Sequence, residues 1–437
     1  MTISLLPSMR AIKLGMAFAL FALVSFGLFV STVSAATINV PGDQPTIAAA
    51  VTAAAPGDVI EVAPGTYSVG QIVISKYLTI SGNALSKPVI QPSLSLPNDL
   101  VAGAWFLVTA GVTFNIDNVV FDGSTNFVHQ ALRSHGNTTV DAVDFMNIRG
   151  SLSGSPYRGV AIQNYGGTVA GGAGNDSHGA GGTASHLVVT NSTFTNIGRI
   201  GVLVKGTQST ADIQCNTYTG KGTGDWLDYG FEAGAGGSIT VTRNTVSGNT
   251  GVASDGSTSA GILVTTYFGP GTDALIQNNT LSGNTTGIAV GYLASDTSDV
   301  EAHNNNITGN GTGVSSTNGP VVDATSNWWG DASGPGGVGP GTGDDVTAGV
   351  LFGSWLTDPA SGVTCGGAGG GGAINSSFIK IEAKNSGKID NTTSSKASTG
   401  GNTAEGSRGG RGGRGGDVEA SAEGDEAEAN GNNGGST

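Results

Sequence analysis

With 437 residues, 75 of them glycine and only 11% charged, this chain lacks the charged residues from which amphipathic helices are built; an average soluble protein is roughly a quarter charged. Setting aside the first 36 positions and everything after Cys365 leaves nine basic and 23 acidic residues in the body. That surplus of negative charge argues against a nucleic-acid partner.

In chain order, residues 1–36 read as an export signal. Arg10 and Lys13 give a basic start, Leu14 to Val30 is an uncharged apolar run, and Val33-Ser34-Ala35-Ala36 offers small residues for cleavage. The apolar run is slightly long, which leaves an uncleaved anchor open; no second apolar span follows, so no membrane span is expected once the signal is removed. Thr37 to Val40 reads as a short strand. Asp43 to Ala55, with Ile47 and Val51 four apart among alanines, reads as one amphipathic helix stopped by Pro56-Gly57. Short β-branched runs then follow one another, each bounded by Gly, Asn, Pro or Ser.

From Ser192 to Trp329 one phrase returns: Ser192-Thr193-Phe194, Asn216-Thr217-Tyr218, Asn244-Thr245-Val246, Asn279-Thr280-Leu281, Asn305-Asn306-Ile307 and Asn327-Trp328-Trp329, at intervals of 24, 28, 35, 26 and 22 residues. A period in the twenties with Asn, Gly and Thr dominant is the pattern of single coils of β-structure stacked into a solenoid. The helix then caps the open apolar end of the first coil. The Asn column is structural: Asn tolerates the left-handed conformations that tight turns need, and its amide bonds the same residue one coil away. Asn249, Asn284 and Asn310 repeat the arrangement. Trp328 and Trp355 are expected to close the far end.

After Gly366 the chain turns to polyglycine, a Ser/Thr/Asn stretch, Arg408, Arg411 and Arg414 in an Arg-Gly-Gly run, and an acidic end. That composition buries too little to offset ordering and predicts a disordered tail, with Phe378 to Ile381 as one candidate strand. The domain reading is therefore 1–36 signal peptide, 37–365 solenoid and 366–437 tail. Cys215 and Cys365, 150 positions apart, are the two cysteines; in an exported chain they are free to pair, and spacing alone leaves the question open.

Thr46-Ile47 through Ala53-Ala54-Ala55-Pro56-Gly57-Asp58-Val59-Ile60, with Pro64-Gly65-Thr66-Tyr67, resembles the opening of right-handed parallel β-helix proteins of the pectin-lyase-like superfamily. Asn327-Trp328-Trp329-Gly330, Ser333-Gly334-Pro335-Gly336 and Ser354-Trp355-Leu356-Thr357 resemble the closing coil of secreted bacterial and archaeal β-helix repeat proteins. The resemblance covers about Thr37 to Thr357 and implies an all-β, right-handed parallel β-helix. It leaves activity open, since the superfamily holds lyases, hydrolases, esterases, adhesins and inert scaffolds.

A second register runs through Gly159, Gly201, Gly230, Gly261, Gly287 and Gly313, with Ala131 one coil earlier. Alternation then points Leu132, Val202, Phe231 and their equivalents inward. It points outward Arg133, Ala161, Leu203 and Glu232 in one column, and His135, Gln163 and Lys205 in the next. A solvated β-surface with an ordinary Lys205–Glu232 pair is the plain reading. The functional reading is a groove for an acidic or neutral polysaccharide or cell-surface glycan, flanked by the Gly-rich loop Tyr165 to His186 and by Asp225 to Tyr229, with Tyr165, Trp226, Tyr267 and Gln163 as sugar contacts. For β-elimination, Lys205 or His135 would take the proton, Arg133 would stabilise the developing charge, and Glu232 or Asp228 would orient a partner or bind a cation. For hydrolysis, Asp228 and Glu232 are the one plausible carboxylate pair. The paired-Asp and Gly-His-Gly motifs of the family's hydrolases are missing, Gly343-Asp344-Asp345 is placed beyond the last coil, and no histidine has metal-ligand spacing. No cofactor is called for, and calcium alone stays open. The expectation is thus a monomeric, secreted or cell-surface scaffold that binds polysaccharide or adheres, with a polysaccharide-degrading enzyme, a lyase before a hydrolase, as the alternative, and a pure spacer as a third.

Overall fold

The computed structural model describes residues 35–96, 103–150, 158–167, 183–267, 269–292, 296–365, 397–398, 417–423 and 426–432. The signal segment up to residue 34, most of the Gly-rich loop after Tyr165, and the candidate strand Phe378 to Ile381 lie outside them.

Among the described residues of the first unit the chain forms three parallel sheets. Sheet A has twelve strands, from Thr37–Val40 to Val350–Leu351; sheet B has nine, from Thr66–Val69 to Asn306–Thr308; sheet C has eleven, from Ile72–Ile74 to the closing pair Pro335–Gly337 and Gly343–Val346. One coil takes a strand from each, as in Ile200–Lys205, Ser209–Gln214 and Thr217–Thr219. Each strand pairs in parallel with its equivalents one coil before and one after, so like residues stack on like. The chain is a parallel β-helix.

The core is filled by inward columns from all three sheets. Ile60, Ile80, Ile116, Val140, Val189 and Ile213 stack along sheet A. On sheet B, Phe121, Phe145 and Phe194 stack nearly face to face, with ring centroids 5.2 Å apart at both steps. Leu132, Ile162, Val202 and Phe231 line sheet C. All are essentially inaccessible to water, and each contributes about 1.5–3 kcal/mol by burial.

The helix is shorter than the sequence predicts. It spans Ile47–Ala53, because Thr46 takes the N-cap and its hydroxyl accepts from the Ala49 amide at 3.1 Å, while Asp43 is held back in a turn by Asn39. Ile47, Ala50 and Val51 turn inward. At the far end it is Trp329, not Trp328, that is wholly buried; Trp328 is half-buried and Trp355 packs on the core edge.

The Asn column is a hydrogen-bonded ladder, and its division of labour differs from the expectation. Asn216, Asn244, Asn279, Asn305 and Asn327 are buried; the Oδ1 of each of the last four accepts the backbone N–H and Nδ2 of the Asn before it at 2.8–3.0 Å, and Asn216 Oδ1 accepts the Ser192 N–H at 2.9 Å. The left-handed residue is the one just before: Cys215, Arg243, Asn278, Asn304 and Ser326 all have φ of 56–61°. The turn needs a bend at one position and a buried amide at the next, so no single Asn does both. The second ladder, Asn249 to Asn284 to Asn310, ends on the Asp344 carboxylate, which accepts from Asn310 N and Nδ2 and from Gly309 N at 2.7–2.9 Å. Gly343-Asp344-Asp345 is therefore part of the closing strand of sheet C rather than beyond the coils.

Past the last coil the chain turns back along these turns. Leu356 N donates to Asn327 O, Ala360 exchanges two bonds with the Asn306 amide, and Cys365 is disulfide-bonded to Cys215. The pairing left open by spacing is thus present. It closes a loop of 150 residues.

In the second unit, Asp417–Glu423 pairs antiparallel with Glu426–Asn432, and Ala397–Ser398 lies beside the latter. The rest of the segment expected to be disordered lies outside the described residues.

Candidate functional site

The outward face of sheet C carries the predicted residues in a corrected register. Val160 pairs with Gln130 and with Ile200, so Ala161, not Gly159, continues the small-residue column of Ala131 and Gly201. Gly159 instead sits in the preceding turn at φ 132°, where the Ile148 carbonyl would crowd any Cβ. This moves the whole strand by two. Arg133, Gln163, Leu203 and Glu232 form one outward row; His135, Tyr165 and Lys205 form the next. Gln163 thus leaves the histidine–lysine row and Tyr165 replaces it.

The face is also not a solvated surface. Arg133, Gln163 and Glu232 are 1–4% exposed and His135, Tyr165 and Lys205 are 3–7% exposed. Buried charges persist only when held by partners. Gln163 Oε1 accepts from Gln130 Nε2 at 2.5 Å and from Arg133 Nη2 at 3.5 Å. The His135 and Tyr165 rings meet edge to face, centroids 5.6 Å apart. Lys205 and Glu232 remain diagonal neighbours, Lys205 standing opposite Gly234 and Glu232 opposite Leu203. Burial, and then the Glu232 charge, push the Tyr229 hydroxyl well above the usual phenol range.

Part of this face is covered by loops that build a second apolar cluster. Leu227 and Ala253 come down on Val160, Ile200, Leu203, Tyr229 and Ala260. Tyr229 donates to Thr258 O at 3.2 Å, and the Arg199 guanidinium stands 5.9 Å over its ring. Trp226 is half-buried, its indole N–H on Gly222 O; a Cβ on Gly251 would strike its ring at 2.3 Å, which shows how closely the two loops pack.

Asp228 is turned the other way. It is wholly buried, and its carboxylate accepts from the Tyr218 hydroxyl of the inward column of sheet B, from Lys221 N at 2.7 Å and from Lys221 Nζ at 3.2 Å. Asp228 is thus committed to the inward Tyr218 and to Lys221, while Glu232 stands in the outward row opposite Leu203, which argues against the two as a hydrolytic pair. The even spacing that placed them together fails because Asp228 lies before the strand that begins at Tyr229.

Tyr267 is 46% exposed, as a sugar contact requires. It has a partner that sequence reasoning missed: Tyr292, 55% exposed, one coil on, meets it edge to face with centroids 4.9 Å apart. The signal was available in Tyr267-Phe268 and Gly291-Tyr292, each just past an equivalent sheet C strand, at Thr265 and Val290. Tyr165, by contrast, is buried, because the corrected register places it between His135 and Lys205. Among the described residues, no cluster of His, Cys, Asp or Glu is arranged to hold a metal ion, and no helix is long and apolar enough to cross a membrane.

Residues 178–343 match the family model described as "Right handed beta helix region". Together with the stacked parallel sheets this makes the protein a right-handed parallel β-helix, the fold that the resemblance to the pectin-lyase-like superfamily implied. Among solved structures the chain is similar to the pectate lyase Pel9A, at 13% identity, 74% of this chain and 79% of that one, TM-score 0.34. It is also similar to the PL6-family alginate lyase AlyGC, at 14% identity, 74% of this chain and 51% of that one, TM-score 0.29. The chain thus spans about half the length of the alginate lyase. No curated protein matches the sequence.

Proposed function

We propose that this is an exported, cell-surface or secreted β-helix that binds a neutral polysaccharide on the outer edge of sheet C. The observation that carries the reading is the Tyr267–Tyr292 pair, two large rings held in contact with each other yet about half open to water. Exposed aromatic surface of this kind costs solvation unless a ligand uses it, and a sugar ring offers C–H faces that stack on it. A neutral polymer suits the charge. The body is strongly acidic and the basic residues of the face, Arg133, His135 and Lys205, are buried, so a polyuronate would meet repulsion rather than an attractive groove. Export is supported by the N-terminal apolar run and by the disulfide.

A second reading, a lyase, is favoured by one observation: opposite charges, Arg133, Lys205 and Glu232, are buried together on the outward side of a sheet, an arrangement that costs stability and often marks chemistry. A glycan array with the whole chain, run beside Tyr267→Ala/Tyr292→Ala and Lys205→Ala, separates the two. Binding to neutral glycans that falls at least tenfold in the tyrosine variant, with no unsaturated product by absorbance, is the expected outcome. Product that disappears in Lys205→Ala would replace the binding reading with the lyase.

A further inference from the structure

The loop between sheet B strand Thr217–Thr219 and sheet C strand Tyr229–Gly234 brings one amine and one carboxyl into contact inside the fold. Lys221 Nζ stands 3.2 Å from Asp228 Oδ2 and donates to the Ile197 carbonyl at 2.8 Å. Asp228 is wholly buried; the Tyr218 hydroxyl donates to its Oδ1, and the Lys221 amide donates to Oδ2 at 2.7 Å. The Trp226 ring, 5.7 Å from the ammonium, closes the site.

We propose that Lys221 and Asp228 condense to form an intramolecular isopeptide bond between Nζ and Cγ. The chemistry needs no reagent beyond the two side chains. A proton passes from the ammonium to Oδ2, leaving a neutral amine and a carboxylic acid. The Nζ lone pair attacks Cγ while the Tyr218 hydroxyl steadies the charge that develops on Oδ1. The Cγ–Oδ2 bond breaks, Oδ2 takes a second proton from nitrogen, and one water leaves for one amide formed. Nothing is oxidised or reduced.

Three features favour the step. Contact inside a rigid fold supplies the proximity that an amine and a carboxyl lack in water. Burial works on both groups in the direction the reaction needs, lowering the Lys221 pKa and raising that of Asp228, although their mutual attraction opposes this. The product is also well placed: its N–H keeps the Ile197 carbonyl, its C=O keeps the Tyr218 hydroxyl, and a buried ion pair is replaced by a neutral amide. The bond lost is that from the Lys221 amide to Oδ2. The covalent clasp would pin the loop that carries Trp226 and Leu227 over sheet C.

Mass spectrometry of the whole chain decides the matter. After reduction of the disulfide, the expected mass is one water below that calculated from the sequence of the isolated chain, its N-terminus having been read from the terminal peptide. Trypsin should then leave Gly206 to Arg243 as one peptide, short by one water and uncut after Lys221. Lys221→Arg, which keeps the charge but cannot form the amide, should restore the full mass, and Tyr218→Phe should leave a mixture of joined and unjoined chains. A wild-type chain of full mass, cut after Lys221, would overturn the proposal without any variant. Equal joining in Tyr218→Phe and wild type would remove the hydroxyl from the mechanism.

Discussion

Replacing Asn279 by Ala tests whether the Asn ladder holds the coils together. The side chain is wholly buried, its Nδ2 donating to Val241 O at 2.8 Å, Gln277 O at 3.0 Å and Asn305 Oδ1 at 3.0 Å, and its Oδ1 accepting from Asn244 N and Nδ2. Alanine leaves the Asn244 N–H buried without its acceptor and takes a donor from two backbone carbonyls. One orphaned N–H costs about 1–3 kcal/mol and each lost bond about 1 kcal/mol, so the expected loss is about 3–5 kcal/mol. Asn278→Gly is the matched control: it keeps the left-handed φ of 57° at the position just before and should change stability by less than about 0.5 kcal/mol. Urea unfolding followed by tryptophan fluorescence gives the global loss. Hydrogen exchange at the Asn244 amide reads the same loss locally. A loss below about 1 kcal/mol, no larger than the control's, would show that the ladder is decoration on strands that already hold themselves.

The disulfide should matter more than its single bond implies: closing 150 residues is worth on the order of 5 kcal/mol by loop entropy, so a reductant or Cys365→Ser should lower the melting temperature and expose 356–365 to protease. An unchanged melting temperature would mean the strap is held by its backbone bonds alone. Gly201→Ala should destabilise by about 1–3 kcal/mol, because the new Cβ would lie 2.5 Å from the Gly230 carbonyl oxygen and 2.7 Å from the Tyr218 ring. An isosteric fit with no change in chemical denaturation would contradict that packing. Asp58 predicts an acid-labile cap. Bonds from the Ala36 and Ala55 amides hold its carboxyl below the usual carboxylate range, so its contribution is complete above the ordinary carboxylate pKa and is lost as pH falls through the lowered value. Protease sensitivity of residues 35–58 should rise in that window in the wild type and be pH-independent in Asp58→Asn.

The return of Asn and a large apolar residue every 22 to 35 positions was enough to determine a stacked β-solenoid and most of its inward columns, because in a coil each residue's neighbours are its equivalents one turn away; the capping helix was legible separately, in the spacing of Ile47 and Val51 before Pro56-Gly57. The same logic made Arg133, His135, Lys205 and Glu232 legible as outward residues of one sheet. What periodicity cannot carry is anything set by the loops, whose lengths change from coil to coil. The strand after Gly159 slipped by two because that glycine serves a turn, not a column, and with it Gln163 and Tyr165 changed rows. Whether outward meant exposed was decided by chain folded over the face, such as Leu227 and Ala253. Asp228 turned inward, the exposed Tyr267–Tyr292 pair and the closure of Cys365 onto Cys215 likewise join residues separated by unequal loops. Local pattern fixes which side of a strand a residue takes; only the packed chain fixes what stands on that side.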